Sequence, residues 1–261
     1  MAGVSMAQRD VGQLYPVAKA VLTPLFRFCW DLRVEGLEHI PPTGGAIIAP
    51  NHISVLDSFF VPCALPRRIT YVGKAEYLDS FKTRYLFPAL GMVPIDRKGG
   101  RQAMAALDTA AELLEAGELF GIYPEGTRSR DGHLHKGHTG VARLALRTGA
   151  PIIPVGLQGT DEVMPADTRF PNLFRSVRVR FGPPIEMARY RGQRENRLLY
   201  RQIADELMYE IGQLSRQRYV DKYATRTAET LPVATAKLAE TADAEVPEPA
   251  LVGADRASAA V

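Results

Sequence analysis

Ala46-Ile47-Ile48-Ala49-Pro50-Asn51-His52-Ile53-Ser54-Val55-Leu56-Asp57 decides how the rest of this 261-residue chain is read. Its first four residues follow the turn Pro41-Pro42-Thr43-Gly44-Gly45. They form a short, uninterrupted apolar run, the pattern of a strand buried on both faces. Further strand candidates lie at 69–72, 92–95, 119–123, 152–157 and 177–181. Helical periodicity lies between them. Residues 101–116 place Met104, Leu107, Ala111 and Leu114 on one face, and 139–148 stop at Gly149, a C-cap signal. From 195 to about 218, Leu199, Ile203, Leu207, Ile211 and Leu214 form one stripe. Strands alternating with helices predict an α/β fold. We read a single layered domain with a central, mostly parallel sheet flanked by helices.

Working outward, the chain divides into an N-terminal amphipathic segment (1–35), the α/β domain (36–222) and an acidic, alanine-rich tail (223–261) expected to be disordered. Six acids against two bases give the last 35 residues −4 and leave +7 on the rest, from a total of +3. A basic body suits anionic partners without choosing among phosphates, nucleic acid and acidic membranes. The basic residues are scattered and no helix-turn-helix, RRM or zinc signature is present, so nucleic acid is not expected. Cys29 and Cys63 are the only cysteines; they form no CxxC and no disulfide framework.

The N-terminal segment does not read as a signal peptide, because charges interrupt it early, and it is expected to be too polar to span a bilayer. Lys19, Arg27 and Asp31 at mid-membrane would together cost roughly 7–10 kcal/mol, against about 0.3–0.6 returned by each Leu, Ile, Phe or Val. Lys19, Thr23, Arg27 and Asp31 fall on one stripe at 100° per residue. Leu14, Val17, Ala18, Val21, Leu22, Leu25, Phe28 and Cys29 fill the opposite arc. Pro16 and Pro24 are expected to kink or split the helix. Residues 11–31 are therefore expected to lie on a membrane surface or against the domain's own core.

The chemistry begins at the end of the first strand. His52 and Asp57 are five apart, wrong for one face of a continuous helix. A strand, a turn and Asp57 at a helix start would bring the carboxylate back to the imidazole and leave the other ring nitrogen as a general base. Glu125-Gly126-Thr127-Arg128 follows the run 119–123 and Pro124, at the strand ends where α/β sheets take ligands. Gly126 permits close approach of a ligand, and Arg128 can clamp a phosphate. Between them, 91–97 delivers Asp96 and Arg97 at a strand end, and 151–156 is a later strand with prolines near its start. His133, His135 and His138 cluster without a completing Asp, Glu or Cys pattern, so no metal site is expected and their role stays open.

In this order the blocks resemble those of the PlsC-type glycerolipid acyltransferases, the lysophosphatidic acid acyltransferase family, over about 45–184. Tyr123 stands where the family usually has Phe. The resemblance implies that His52 is the general base and Asp57 orients it. It implies that Lys74, Arg97, Glu125, Gly126, Thr127 and Arg128 bind a phosphorylated acceptor. It further implies a membrane-borne lysophospholipid acceptor, an acyl-CoA or acyl-carrier-protein donor, no cofactor and no acyl-enzyme. The absence of a Gly-x-Ser-x-Gly elbow is compatible with direct transfer. A peripheral position on the cytoplasmic face of the membrane follows from the same reading. Glycerol-3-phosphate, another lysophospholipid or a non-phosphorylated lipid hydroxyl are alternative acceptors, and a catalytically silent lipid-binding relative is the alternative to an enzyme.

Overall fold

Every residue of β2 (Ala46–Pro50) is buried, and successive side chains point to opposite faces. Ile47 and Ala49 join one apolar cluster while Ala46 and Ile48 join another, so the strand is covered on both sides as its unbroken apolar run requires. The computed structural model describes residues 15–74, 92–95, 100–165, 168 and 170–225, with the backbone alone for 72–74, 92–95 and 100–104. Arg97, the stretch 11–14 of the expected membrane segment and the tail from 226 lie outside the described residues.

In chain order the elements are α1 (Tyr15–Cys29), β1 (Asp31–Glu35), β2, α2 (Asp57–Ala64), β3 (Ile69–Lys74), β4 (Met92–Ile95), α3 (Gly100–Glu115), β5 (Leu119–Gly121), β6 (Leu134–His135), α4 (Gly140–Thr148), β7 (Ile152–Gln158), α5 (Thr160–Val163), β8 (Ser176–Phe181), α6 (Arg197–Ser215) and β9 (Tyr219–Val220). Seven strands form the main sheet in the order β1-β8-β7-β2-β5-β3-β4. The block β7-β2-β5-β3-β4 is parallel throughout. β8 reverses against β7, and β1 runs parallel to β8. The expected α/β sheet, mostly parallel, is therefore present.

α3, α4 and α6 cover one face with Ala111, Leu114, Val141, Leu144, Ile203 and Leu207. α1 and α2 cover the other with Phe26, Phe60 and Val61. Asn196 caps α6, its side chain accepting from the Leu199 amide at 2.9 Å, and the stripe read from sequence is buried at Leu199, Ile203, Leu207 and Ile211.

Three sequence readings change. The prolines neither split α1 nor end it: Pro16 lies in the first turn, where no intrahelical N–H partner is needed, and Pro24 is carried inside one helix. Asp31 leaves the helical stripe and opens β1, so residues 31–35, assigned from sequence to the N-terminal segment, extend the sheet. The run 119–123 shortens to β5, although the Ile122 amide still donates to Ile48 O at 3.0 Å.

The arc of α1 read as apolar is divided. Leu22 and Cys29 pack on the core beside Phe26 and Trp30. Val17, Val21, Leu25 and Phe28 remain exposed. The Phe26 ring sits 4.9 Å from Phe60 and 5.0 Å from Trp30, edge-on or tilted, which seats α1 on α2. Lys19, read as part of the polar stripe, instead turns to the domain and donates through Nζ to Leu65 O. Among the described residues no helix is long and apolar enough to cross a membrane.

Candidate active site

Because β7, β2 and β5 are parallel neighbours, their carboxyl ends open side by side. Ligands gather at such strand ends because the chain turns away there and leaves a crevice. β2 runs into Asn51 and His52, β5 leads to Tyr123 and Glu125, and β7 leads through Gly159 to Thr160. Residues separated by about a hundred positions thus converge.

The turn after β2 carries the chain into α2, whose first residue is Asp57. Its carboxylate, fully buried, receives four donors. His52 Nδ1 lies 2.9 Å from Oδ2, and the amides of Ile53 and Ser54 donate to the same oxygen at 2.8 Å each. The Thr160 hydroxyl donates to Oδ1 at 2.5 Å. With Nδ1 so engaged, Nε2 is the imidazole nitrogen left for a reacting proton, and it has no partner among the described residues.

The main chain of His52 is fixed from the other motif. Glu125 Oε1 accepts from the His52 amide at 2.9 Å, and the Ser129 amide donates to His52 O at 2.7 Å. Glu125 Oε2 accepts from the His135 amide at 3.0 Å. At 1% exposure Glu125 is thus a buried brace. Its two oxygens accept from the main-chain amides of His52 and His135, a contact the sequence reading did not assign to it. Burial pushes its carboxyl up to about 7, against the pull of the His135 and His52 amides.

The imidazole ring is also held in its plane. Tyr123 stacks on it with ring centroids 3.9 Å apart and 18° between planes. Tyr71 stacks behind Tyr123 at 5.8 Å. A Cβ at Gly121 would stand 2.1 Å from the Tyr71 ring, so only glycine leaves room for this column. The Tyr123 hydroxyl, where phenylalanine is usual, pairs with Ser58 Oγ at 3.0 Å. Burial drives its phenol far above the ordinary range, so it stays neutral.

The rest of the second motif is less buried than Glu125. Gly126 turns with φ +72°, where a side chain is strained, and is exposed. Thr127 and Arg128 are half-buried, and no carboxylate among the described residues lies within ion-pair distance of Arg128. Lys74 ends β3, one strand beyond β5.

The histidine cluster is organised by Asp131. His135 Nε2 lies 2.9 Å from Asp131 Oδ1, and His133 Nδ1 lies 3.4 Å from Oδ2. Burial works to raise Asp131, but the His135 ring, the His133 amide and the Ser129 hydroxyl outweigh it and hold the carboxyl down at about 2. His138 instead stacks on Tyr223 at 4.6 Å. Among the described residues no three His, Cys, Asp or Glu side chains converge as metal ligands.

Sequence reasoning missed Thr160, Ser129 and the bracing action of Glu125. No spacing rule joins positions 57 and 160; the only trace was that both follow strands. It also missed Asn51, whose side chain accepts from Leu157 N at 2.7 Å and donates to Leu157 O at 3.0 Å, locking the ends of β2 and β7.

With this geometry in hand, comparison with known proteins gives a consistent picture. The Acyltransferase family model matches residues 31–158. A chloroplastic 1-acyl-sn-glycerol-3-phosphate acyltransferase of Arabidopsis thaliana is 30% identical over 60% of this chain and 44% of its own length. An enzyme named in the same words from Borreliella burgdorferi is 30% identical over 59% of this chain and 61% of its own. The chain spans about half the length of the curated relatives it matches. Among solved structures, the 1-acyl-sn-glycerophosphate acyltransferase PlsC of Thermotoga maritima superposes with a TM-score of 0.61 at 24% identity. The match covers 83% of this chain and 81% of that one, and it establishes the fold.

Proposed function

From the premise that this chain belongs, through residues 31–158, to the acyltransferase family, we propose that it moves a fatty acyl group from an acyl thioester to the sn-2 hydroxyl of lysophosphatidic acid. The product is phosphatidic acid, made in phospholipid biosynthesis. The donor is acyl-CoA or an acyl-carrier protein. The observation that carries the reading is the His52–Asp57 pair, 2.9 Å apart at the carboxyl end of a central strand, in a chain whose relatives are named for this reaction.

His52 Nε2 accepts the proton of the acceptor hydroxyl as its oxygen bonds to the thioester carbonyl carbon. Asp57 holds the imidazole in the tautomer that leaves Nε2 free, and stabilises the imidazolium once formed. The tetrahedral intermediate collapses with cleavage of the C–S bond, and the imidazolium returns its proton to the departing thiolate. No acyl-enzyme forms, and no cofactor is required beyond the acyl thioester. Because a placed base supplies about 10²–10⁴ in rate, alignment must supply much of the rest. The Glu125, Ser129 and Tyr123 contacts, which fix His52 in position and plane, serve that alignment.

Arg128, preceded by Gly126 and Thr127, is assigned to the acceptor phosphate, with Lys74 at the end of β3 assisting, and Arg97 is assigned to the same phosphate from the motif alone. A guanidinium with no carboxylate partner among the described residues suits a dianionic ligand. The apolar residues that α1 leaves exposed, Val17, Val21, Leu25 and Phe28, are assigned to the membrane surface from which the lipid acceptor is drawn. That surface is the cytoplasmic face.

The test is thiol release from a long-chain acyl-CoA with detergent-dispersed lysophosphatidic acid. Release that depends on the acceptor and disappears in His52→Ala supports the assignment. Release without acceptor would make the protein a thioesterase, and acceptor-dependent release that survives the substitution would remove His52 as the base.

A further inference from the structure

The exposed face of α1 has a companion some 145 positions away in sequence. Phe170-Pro171-Asn172-Leu173-Phe174 lies between α5 and β8, with Phe170 82% exposed, Leu173 50% and Phe174 77%. Despite that exposure its backbone is held firmly. Trp30 Nε1 donates to Asn172 O at 2.7 Å, the Phe174 amide donates to Cys29 O at 2.8 Å, and the Asp31 amide donates to Arg175 O at 3.1 Å. On the other side, the Asn172 amide donates to Val163 O at 2.7 Å and its side chain donates to Glu162 O at 2.8 Å. Phe174 sits at φ 59°, in the left-handed region that residues with a Cβ avoid. The fold thus fixes a strained turn at the carboxyl end of α1 and buries neither of the rings it presents. Scattered apolar residues are normal on protein surfaces, whereas a cluster marks a contact site.

We propose that the 170–174 loop is a second membrane anchor, inserting Phe170, Leu173 and Phe174 into the same anionic bilayer that α1 meets with Val17, Val21, Leu25 and Phe28. This rests on the membrane contact proposed above and adds a separate point to it. Charge favours a phospholipid surface. Exposed Arg27 and Arg175 stand beside the apolar residues. Asp31, the acid at the junction, is engaged by Arg33 at 2.9 Å and by Ser176 at 3.1 Å. Asp161 and Glu162 lie in α5, eight or more positions before Phe170. Cations beside aromatic tips pair with headgroup phosphates while the rings enter the acyl boundary. A second anchor tied to the end of α1 adds apolar area to the contact, and two linked contacts bind more tightly than either alone.

The experiment uses the full chain and vesicles of phosphatidylcholine with phosphatidylglycerol. Partition is measured by sedimentation for wild type, Phe170→Ser/Phe174→Ser, Val21→Ser/Leu25→Ser and the four-fold variant. Trp30 is the only tryptophan and is bonded to the loop, so its unchanged emission reports that the junction has kept its fold. Each pair should weaken partition about tenfold or more, and the combination further. In a second measurement, Phe174→Trp adds a fluorophore at the tip, whose emission above the wild-type background should be quenched by bromine-labelled acyl chains. Wild type that pellets while the loop pair pellets equally well, or an added tip emission that the bromine labels leave unquenched, overturns the second anchor alone. Wild type that does not pellet removes the membrane contact altogether. A loop pair that abolishes a dimer in vesicle-free buffer, with vesicle binding intact, makes the loop a contact between copies and overturns the proposal.

Discussion

The loop after β2 and the loop after β5 meet at one site, yet they are built on different terms. The first closes on itself: its carboxylate is fully buried and takes donors from His52, Ile53 and Ser54 within the same seven residues. The second is divided. Glu125 reaches inward to the main chain of His52, while Arg128, three residues later, is half-buried with no carboxylate partner among the described residues. Residues that stand together in one motif therefore need not share one task. Polar groups satisfied inside the fold shape the catalyst, and those left unsatisfied are the ones available to substrate.

Substitutions can break that contrast, the largest effect coming from its closed side. His52→Ala should lower kcat by about 10³ with the fold retained by circular dichroism. Asp57→Asn should lower it by about 10², since the imidazolium loses its counter-charge while the shape remains. Glu125→Gln tests whether the brace belongs with the catalyst. A loss of about tenfold in kcat with acceptor KM unchanged would place it there, whereas a rise in KM alone would return Glu125 to the acceptor. Arg128→Ala should do the reverse, raising KM for the phosphorylated acceptor about tenfold or more while kcat changes little. Thr160→Val should have the smallest effect, a few-fold loss in kcat with a shifted pH–rate profile, because only one of four donors to Asp57 is removed.

Stability against pH separates two carboxylates of the same segment. The folded value of Glu125 is raised from 4.5 to about 7. The folded protein therefore keeps a proton that the unfolded chain gives up, and this contribution is complete below pH 4.5 and lost as pH rises through 7. The shift corresponds to about 3 kcal/mol. Asp131 is depressed from 3.8 to about 2, so its contribution is present above 3.8 and lost as pH falls through 2. Denaturant midpoints measured from pH 4.5 to 8 should fall less steeply in Glu125→Gln than in wild type. Asp131→Asn should change the slope only in acid.

Much of this was legible before any coordinates. The apolar runs marked β2, β3 and β7, because strands buried on both faces leave an unbroken hydrophobic signature, while β8 showed by alternation, its Val177, Val179 and Phe181 turned inward. The helix-start position of Asp57 followed from the turn that a five-residue separation requires. What failed to show has physical reasons. β1 reads Asp31-Leu32-Arg33-Val34-Glu35, and as an edge strand it carries charges that look helical when appended to α1. β6 and β9 are two residues each, too short for any periodicity. The apolar arc of α1 was visible, but periodicity tells that a face exists and not what covers it, and here the core takes Leu22 and Cys29 and leaves Val17 and Phe28 outside. Thr160 and Ser129 bond across the sheet through contacts that depend on strand order, which linear spacing does not encode.

The double hold on the His52 peptide, with Glu125 on its amide and Ser129 on its carbonyl, bears on how this scaffold can be redesigned. Positions 52–57 and 125–129 form one interchangeable cassette despite the chain between them, and transplanting either half into a foreign loop would leave the imidazole without its seat. Libraries aimed at new acceptors should therefore hold Glu125 constant, keep proline out of position 129, whose amide makes the second bond, and diversify Thr127 and Arg128, which are half-buried.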